Sequence, residues 1–135
     1  MRVAPEIAQA VAQNRPVVAL ESALITHGFA PPANLDIARR LEATVREEGA
    51  LAATIAIVDG EVRVGLAADE LERLAAAHTA RKVSLRDLPV TLAQKATGGT
   101  TVAATLHLAH RAGIRVFATG GIGGVHRGHP EDVSA

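Results

Sequence analysis

Short apolar runs alternate with amphipathic segments along this 135-residue chain, and this alternation constrains the possible fold more than any other feature. Apolar residues at helical spacing predict helices from Pro5, over residues 35–48 and 69–78, and from Thr100 or Thr101 to Arg111. Apolar and β-branched runs predict strands over residues 16–20, 53–58, 61–66, 82–85 and 114–118. Helices interleaved with buried strands predict an α/β fold, in which a sheet is layered between helices as α/β/α.

Turn residues define the boundaries of these elements. Asp59-Gly60 stands between two β-type runs and predicts an antiparallel hairpin. Gly49 is placed to end the helix before it. Residues 26–34 are predicted as a loop, since Pro31 and Pro32 exclude a regular helix until Ala33.

The composition argues against several classes of function. Fourteen basic residues balance fourteen acidic ones, and the aromatic residues are Phe29 and Phe117, so neither a basic patch nor a stacking platform for nucleic acid is expected. There is no cysteine, which excludes disulfides and thiolate chemistry. The chain has no apolar run of membrane-spanning length and no signal-peptide pattern at its start. We therefore expect a one-domain cytoplasmic protein that binds neither nucleic acid nor membrane.

Residues 114–128 run from a β-type segment into a loop with five glycines, His126 and an arginine. Such a loop can turn its N–H groups toward an anion beyond the carboxyl end of a strand. It does not fit G-x-G-x-x-G, because His126 stands at the third glycine, nor the P-loop, because His129 and Pro130 replace Lys and Ser or Thr. A flexible strand-to-helix connection is the alternative.

Glu21 and Ser22 follow the strand predicted over residues 16–20. A carboxylate at the mouth of a sheet is partly desolvated and suits general acid/base chemistry. A helix or loop cap is an equally good interpretation of this position.

Two further segments could bind an anion. Lys82 and Arg86 flank a short extended segment and suit a phosphate or carboxylate, although a surface pair of Arg86 with Asp87 is the commoner explanation. Glycines at 98 and 99 lead to a helix start at Thr101, where free N–H groups and the helix dipole favour an anion. Capping alone explains the threonines about as well.

The histidines divide into two groups. His107 and His110 share a helix face but lack the acidic residue of H-E-x-x-H, so a surface or packing role is favoured. His27 and His126 lie in glycine-containing loops and are better site candidates. Asp132 could bind a hard metal ion, with water as most of the other ligands.

Six motifs carry a resemblance to a known family. They are Ala19-Leu-Glu-Ser22, Ile25-Thr-His-Gly28, Ala53-Thr-Ile-Ala-Ile57, Lys82-Val-Ser-Leu-Arg-Asp-Leu-Pro89, Gly99-Thr-Thr-Val-Ala103 and Val116-Phe-Ala-Thr-Gly-Gly-Ile-Gly-Gly-Val-His-Arg-Gly128. In this order and spacing the chain closely resembles the pseudouridine-5′-phosphate glycosidase family, also called indigoidine synthase A-like. The resemblance covers essentially the whole chain.

The resemblance implies reversible C–C glycosidic cleavage of pseudouridine 5′-phosphate to uracil and ribose 5-phosphate. It also implies a divalent cation, typically Mn²⁺, and a homo-oligomer at full length, with a homotrimer as the candidate form. By motif, Glu21 would be the general acid/base and Asp132 would bind the metal. The substrate-binding positions would be Lys82, Val102 (through its backbone), Ser134 and Ala135.

The family also uses a lysine that forms an imine with the opened sugar, and the two lysines here, Lys82 and Lys95, belong to other motifs. The resemblance is therefore to the amino-terminal part of the enzyme. We expect residues 1–135 to be inactive alone, with apolar surface exposed at residues 17–20 and 114–118. The alternatives are a non-catalytic module that binds phosphate or a partner subunit, and a sugar-phosphate enzyme of another reaction type.

Overall fold

The computed structural model describes residues 1–123, 125–126 and 129–133. Its helices are α1 (Pro5–Ala12), α2 (Ala33–Glu47), α3 (Ala68–Ala75), α4 (Leu88–Ala93) and α5 (Val102–Arg111). Its strands are β1 (Arg2–Val3), β2 (Val17–Leu20), β3 (Leu51–Val58), β4 (Glu61–Val64), β5 (Arg81–Val83), β6 (Gly98–Thr100), β7 (Val116–Ala118), β8 (Val125–His126) and β9 (His129–Val133). A π-helical turn (Leu24–Gly28) follows β2, and a 3₁₀ turn (Leu85–Asp87) precedes α4.

Seven strands form one mixed sheet. Its main path runs β1-β4-β3-β2-β7, and β6 joins β3 to β5. Strand β2 is parallel to both β3 and β7, whereas β4 and β6 are antiparallel to β3. Strands β8 and β9 form a separate antiparallel pair.

Helices cover both faces of the sheet, which confirms the predicted α/β/α layers. On one face, α1 and α5 pack against β3 through the larger core cluster, which includes Ile7, Leu108 and Ile55. On the other face, α2, α3 and the π-helical turn contribute to a second cluster around Ala56. Adjacent residues of β3 thus enter opposite cores, as the alternation of side chains along a strand requires.

The sheet branches along β3, and this branch positions the site described below. The first half of β3 pairs with β2, where Leu20 lies opposite Thr54. Beyond that point β6 takes the place of β2, with Gly99 opposite Ala56. The carboxyl end of β2 therefore meets the middle of the sheet where β6 joins.

The structure confirms the turn chemistry read from the sequence. Asp59 and Gly60 connect β3 to β4 with φ of 50° and 75°, so both central residues have the positive φ of a type I′ hairpin. Gly49, at φ 81°, follows the end of α2 and lets the chain leave the helix.

Several element boundaries differ from the prediction. Helix α2 begins at Ala33, two residues early, because Pro32 occupies its N-cap position. The segment predicted as a loop over residues 26–34 begins with part of a π-helical turn. Gly98 and Gly99 form a strand rather than a helix entry, since β3 and β5 supply partners on both sides. Helix α4 and strand β1 were not predicted.

The expectation that β2 would expose apolar surface is wrong. Val17, Ala19 and Leu20 are buried, because β2 lies between β3 and β7 with helices over it. The same expectation for residues 114–118 is correct only in part: Val116, on β7 at the end of the main path, is 55% exposed, whereas Ile114 is buried. Within the described residues, no helix is both long enough and apolar enough to cross a membrane.

Candidate functional site

Glu21 lies beside Thr119, just beyond the carboxyl ends of the parallel strands β2 and β7. Leu20 is opposite Ala118 in the parallel pairing of β2 with β7, so Glu21 and Thr119 are the next residues beyond two adjacent strands. The Thr119 hydroxyl donates a hydrogen bond to Glu21 Oε1. The half-buried Glu21 carboxyl group is thus held at the mouth of the sheet, as its sequence position predicted.

A buried hydroxyl network joins this edge to β6. Ser22 Oγ donates to the carbonyl of Ile55 at 2.6 Å and accepts from the Thr100 N–H at 2.9 Å. Thr100 Oγ1 also donates to Ile55 O at 2.6 Å and lies 2.9 Å from Thr105 Oγ1. These bonds satisfy the buried polar groups where the sheet branches, and they fix Glu21 relative to the start of α5.

Gly99 makes the close approach between these segments possible. A Cβ on Gly99 would lie 2.3 Å from Thr26 Oγ1 and 2.6 Å from the Ser22 carbonyl oxygen. Any larger residue would separate β6 from the segment after β2. The glycine is therefore required by packing, in addition to any role in binding an anion.

Lys82 lies on β5, the strand next to β6, and α5 begins shortly after β6 ends. Lys82 is opposite Gly99 in the parallel pairing of β5 with β6, and the Thr101 N–H donates to Val83 O at 2.9 Å. Val102 is the first residue of α5, where backbone N–H groups have no partner within the helix. Thr101 takes the N-cap position as predicted, although its side chain makes no cap hydrogen bond. The residues at the end of β6 thus lie against Ser22, the neighbour of Glu21, and the half-buried Lys82 lies one strand further away, on β5.

An apolar pocket of about 290 Å³ adjoins Glu21. The side chains that line it come mainly from β2, the π-helical turn, α2 and the end of β7. Its lining consists of Leu20, Glu21, Leu24, Phe29, Ile37, Leu41, Ala118, Thr119 and Gly120.

Other candidates from the sequence have structural roles or lie elsewhere. Arg86 forms a loose, exposed pair with Asp87, at 3.8 Å. Asp87 itself accepts hydrogen bonds from the N–H and hydroxyl of Ser84 and so caps the turn before α4. These contacts support the structural interpretation of residues 86–87.

The structure supports a surface position for two of the histidines, and a site role for His27 and His126 stays a prediction. His107 and His110 are exposed on α5. His27 is exposed in the π-helical turn, and its Nδ1 lies 2.7 Å from Thr26 Oγ1. His126 is on β8, and its side chain lies outside the described part of the chain.

The predicted metal and substrate positions near the end of the chain are not tested by the structure. Asp132 lies on β9, with its side chain outside the described residues, and Ser134 and Ala135 lie outside them entirely. Within the described residues, no three His, Cys, Asp or Glu side chains come together as a metal site.

Comparison with known proteins identifies the family. The sequence model of the indigoidine synthase A like protein family matches residues 6–135. The chain belongs to the indigoidine synthase A-like family. The family assignment made from the sequence motifs is therefore confirmed.

Relatives within the indigoidine synthase A-like family are much longer than this chain. It is 61% identical to the pseudouridine-5′-phosphate glycosidase of Rhodospirillum centenum over 95% of its own length and 40% of the relative's. Identity to the enzyme of that name from Deinococcus radiodurans is 57%, over 97% of this chain and 42% of the relative. The crystal structure of the prealnumycin C-glycosynthase AlnA with ribulose 5-phosphate aligns at a TM-score of 0.82 and 47% identity, covering 98% of this chain and 43% of that one. The chain thus spans about two fifths of these relatives.

Thr119 is the site residue that sequence reasoning did not single out. It lies inside the glycine-loop motif of residues 114–128, in which no sequence pattern marks a threonine for a role. Thr119 directly follows a strand, as Glu21 does. This shared position is the feature of the sequence that could have marked Thr119 as a site residue. That β2 and β7 are neighbours is visible only in the fold.

Proposed function

We propose that the protein containing this chain reversibly cleaves the C–C glycosidic bond of pseudouridine 5′-phosphate, giving uracil and ribose 5-phosphate. The observation that carries the proposal is the placement of Glu21, just beyond the carboxyl ends of β2 and β7 and beside an apolar pocket, in a chain of this family. The glycosidase names of its relatives supply the substrate.

Glu21 is proposed as the group that handles protons. When the bond between sugar C1′ and uracil C5 breaks, C5 must gain a proton and C1′ must gain a hydroxyl group from water. A carboxyl group positioned at the reacting bond can deliver and recover such a proton. Its half-buried position next to Thr119 and the apolar pocket suits this role.

Lys82 and Val102 are proposed to bind the phosphoryl end of the substrate. An ammonium group supplies charge to a phosphate, and the first N–H groups of α5 supply donors along the helix dipole. The AlnA structure, which is similar over nearly the whole of this chain, contains a sugar phosphate, ribulose 5-phosphate. Ser134 and Ala135 are proposed to extend the substrate-binding segment.

A divalent cation, Mn²⁺, is proposed as cofactor, with Asp132 as a ligand. A hard cation of this type takes oxygen ligands and would neutralise charge on the bound substrate. The described residues do not assemble a metal site among themselves.

The nucleophilic lysine implied by the family resemblance is proposed to lie outside residues 1–135, since Lys82 and Lys95 belong to other motifs. The active protein is then longer than residues 1–135, and we propose that it is a cytoplasmic homo-oligomer. The second candidate function is non-catalytic binding. Residues 1–135 would then bind a sugar phosphate or a partner subunit without catalysis.

The test uses the complete reading frame that encodes these residues, with uracil release measured in the presence of Mn²⁺. Glu21→Gln keeps the shape of the side chain but cannot exchange a proton. It should lower turnover by roughly 10²-fold or more while the protein still folds and binds ribose 5-phosphate. Near-parental turnover would refute the role of Glu21. Binding of ribose 5-phosphate without any uracil release by the parent protein would favour the non-catalytic candidate.

A further inference from the structure

The Thr119 hydroxyl contacts both the Glu21 carboxyl group and the Gly121 peptide. It donates to Glu21 Oε1, accepts from the Gly121 N–H at 3.3 Å, and lies 3.0 Å from the Gly121 carbonyl oxygen. A hydroxyl group has one hydrogen to donate and two lone pairs to accept with. The carboxylate and the Gly121 carbonyl therefore compete for the same hydrogen.

The protonation state of Glu21 decides this competition. An ionised carboxylate is the stronger acceptor, so the hydroxyl hydrogen points to Glu21 while Gly121 N–H donates to the hydroxyl oxygen. When Glu21 takes up a proton, its own O–H can donate to Thr119 Oγ1. The Thr119 hydrogen can then turn to the Gly121 carbonyl, 3.0 Å away. The bond between the two side chains persists with donor and acceptor exchanged.

The hydrogen bond between Thr119 and Glu21 is important because the other side chains around Glu21 in the pocket are apolar. Six apolar side chains and Gly120 form the rest of the adjoining pocket, and none of these side chains can hydrogen-bond to the carboxyl group. An acid/base group must keep its position before and after the proton moves, because a displaced group loses its alignment with the reacting bond. Thr119 can hold it in both states.

We propose that Thr119, supported by the Gly121 peptide, is a positioning residue that keeps Glu21 hydrogen-bonded in both of its protonation states. This inference rests on the proposed function, in which Glu21 is the general acid/base. Serine carries the same hydroxyl and can replace threonine in this role, whereas valine has nearly the same shape and no hydrogen-bonding group.

The experiment compares Thr119→Val, Thr119→Ser and a matched Thr44→Val control in the complete reading frame, with and without Glu21→Gln. The Thr44 hydroxyl bonds only within its own helix, to Arg40 O at 2.9 Å, on an exposed face of α2. In the parent background Thr119→Val should lower kcat about tenfold with KM within about twofold, a fraction of the loss expected for removing an acid/base group. Thr119→Ser and Thr44→Val should stay within about threefold of the parent.

The decisive measurement is the effect of Thr119→Val in the Glu21→Gln background. A residue that acts through Glu21 should then lower kcat by less than about twofold, because the proton-handling group is already absent. A full tenfold loss there would overturn the inference, as would parental kcat in Thr119→Val or failure of serine to rescue.

Failure of the proposed function gives a different pattern. Near-parental kcat in Glu21→Gln removes Glu21 from the chemistry, and no uracil release by the parent protein refutes the activity; the inference falls in either case. A large loss in Glu21→Gln with none in Thr119→Val refutes the inference alone. Melting temperatures of all variants separate loss of folding from loss of turnover.

Discussion

Gly99 offers the sharpest test of how the site is assembled. In Gly99→Ala, the new Cβ would lie 2.6 Å from the Ser22 carbonyl oxygen, whereas ordinary contacts begin at 3.4 Å. One of the two backbone segments would have to withdraw by about 0.8 Å, the difference between these distances. The Thr26 hydroxyl, at 2.3 Å, would have to move further still.

Such a displacement acts on the hydrogen bonds that join β6 to the segment after β2. The Thr100 N–H bond to Ser22 Oγ, at 2.9 Å, and the Ser22 N–H bond to Thr100 O, at 3.3 Å, would both lengthen beyond useful range. Each lost buried bond costs about 1 kcal/mol, and the overpacking itself costs about 1–3 kcal/mol. We expect Gly99→Ala to lower the free energy of unfolding by about 3 kcal/mol or more.

Urea denaturation followed by circular dichroism measures this change. Gly120→Ala is the matched control, because a Cβ at Gly120 meets nothing within 4 Å. The control should unfold within about 0.5 kcal/mol of the parent. Equal midpoints for Gly99→Ala and Gly120→Ala would refute the close approach of β6 to Ser22.

Three further outcomes are expected. Lys82→Ala should raise KM at least tenfold by removing a charge-assisted contact worth about 1.5–3 kcal/mol; binding that weakens equally for ribose and ribose 5-phosphate would contradict this role. Thr54→Val should lower the free energy of unfolding, measured in urea, by about 1–3 kcal/mol, because the Thr54 hydroxyl donates at 2.6 Å to the buried Glu42 carboxylate. The control Thr44→Val should not lower it. Residues 1–135 expressed alone should release no uracil with Mn²⁺ present, because the imine-forming lysine implied by the family has no matching position in this segment. Metal-dependent turnover by this segment would place the nucleophile within it.

Local chemistry explains which parts of the fold were predictable. The Asp59-Gly60 hairpin and the glycine end of α2 depend on backbone conformations that few residues adopt, so the residue type alone identified them. Helix α2 has apolar residues at helical spacing, and strand β3 is a long, almost continuous apolar run. Strand β6 was missed, because Gly98 and Gly99 have no side chains to give a β-type pattern, and their partners are distant in sequence.

The residues of the candidate site also divide into those that the sequence could predict and those that it could not. Glu21 was found from its residue type and its position after a short strand, and Lys82 from its charge, although Lys82 proves to lie within β5. The motifs around them identified the family. Thr119 could not be assigned a role in this way, because a threonine after a strand has many uses. Its contact with Glu21 spans 98 positions and depends on which strands are neighbours.

The sequence by itself therefore determined the layered α/β class, the hairpin, the family and the charged candidates Glu21 and Lys82. These features depend on periodicity, on backbone preference and on the chemistry of single side chains, all of which are local. The tertiary structure alone decided the order of the strands, the branch of the sheet at β3 and the pairing of Glu21 with Thr119. Those features arise from burial and hydrogen bonding between segments far apart in the chain, where each partner is fixed only once the others are in place.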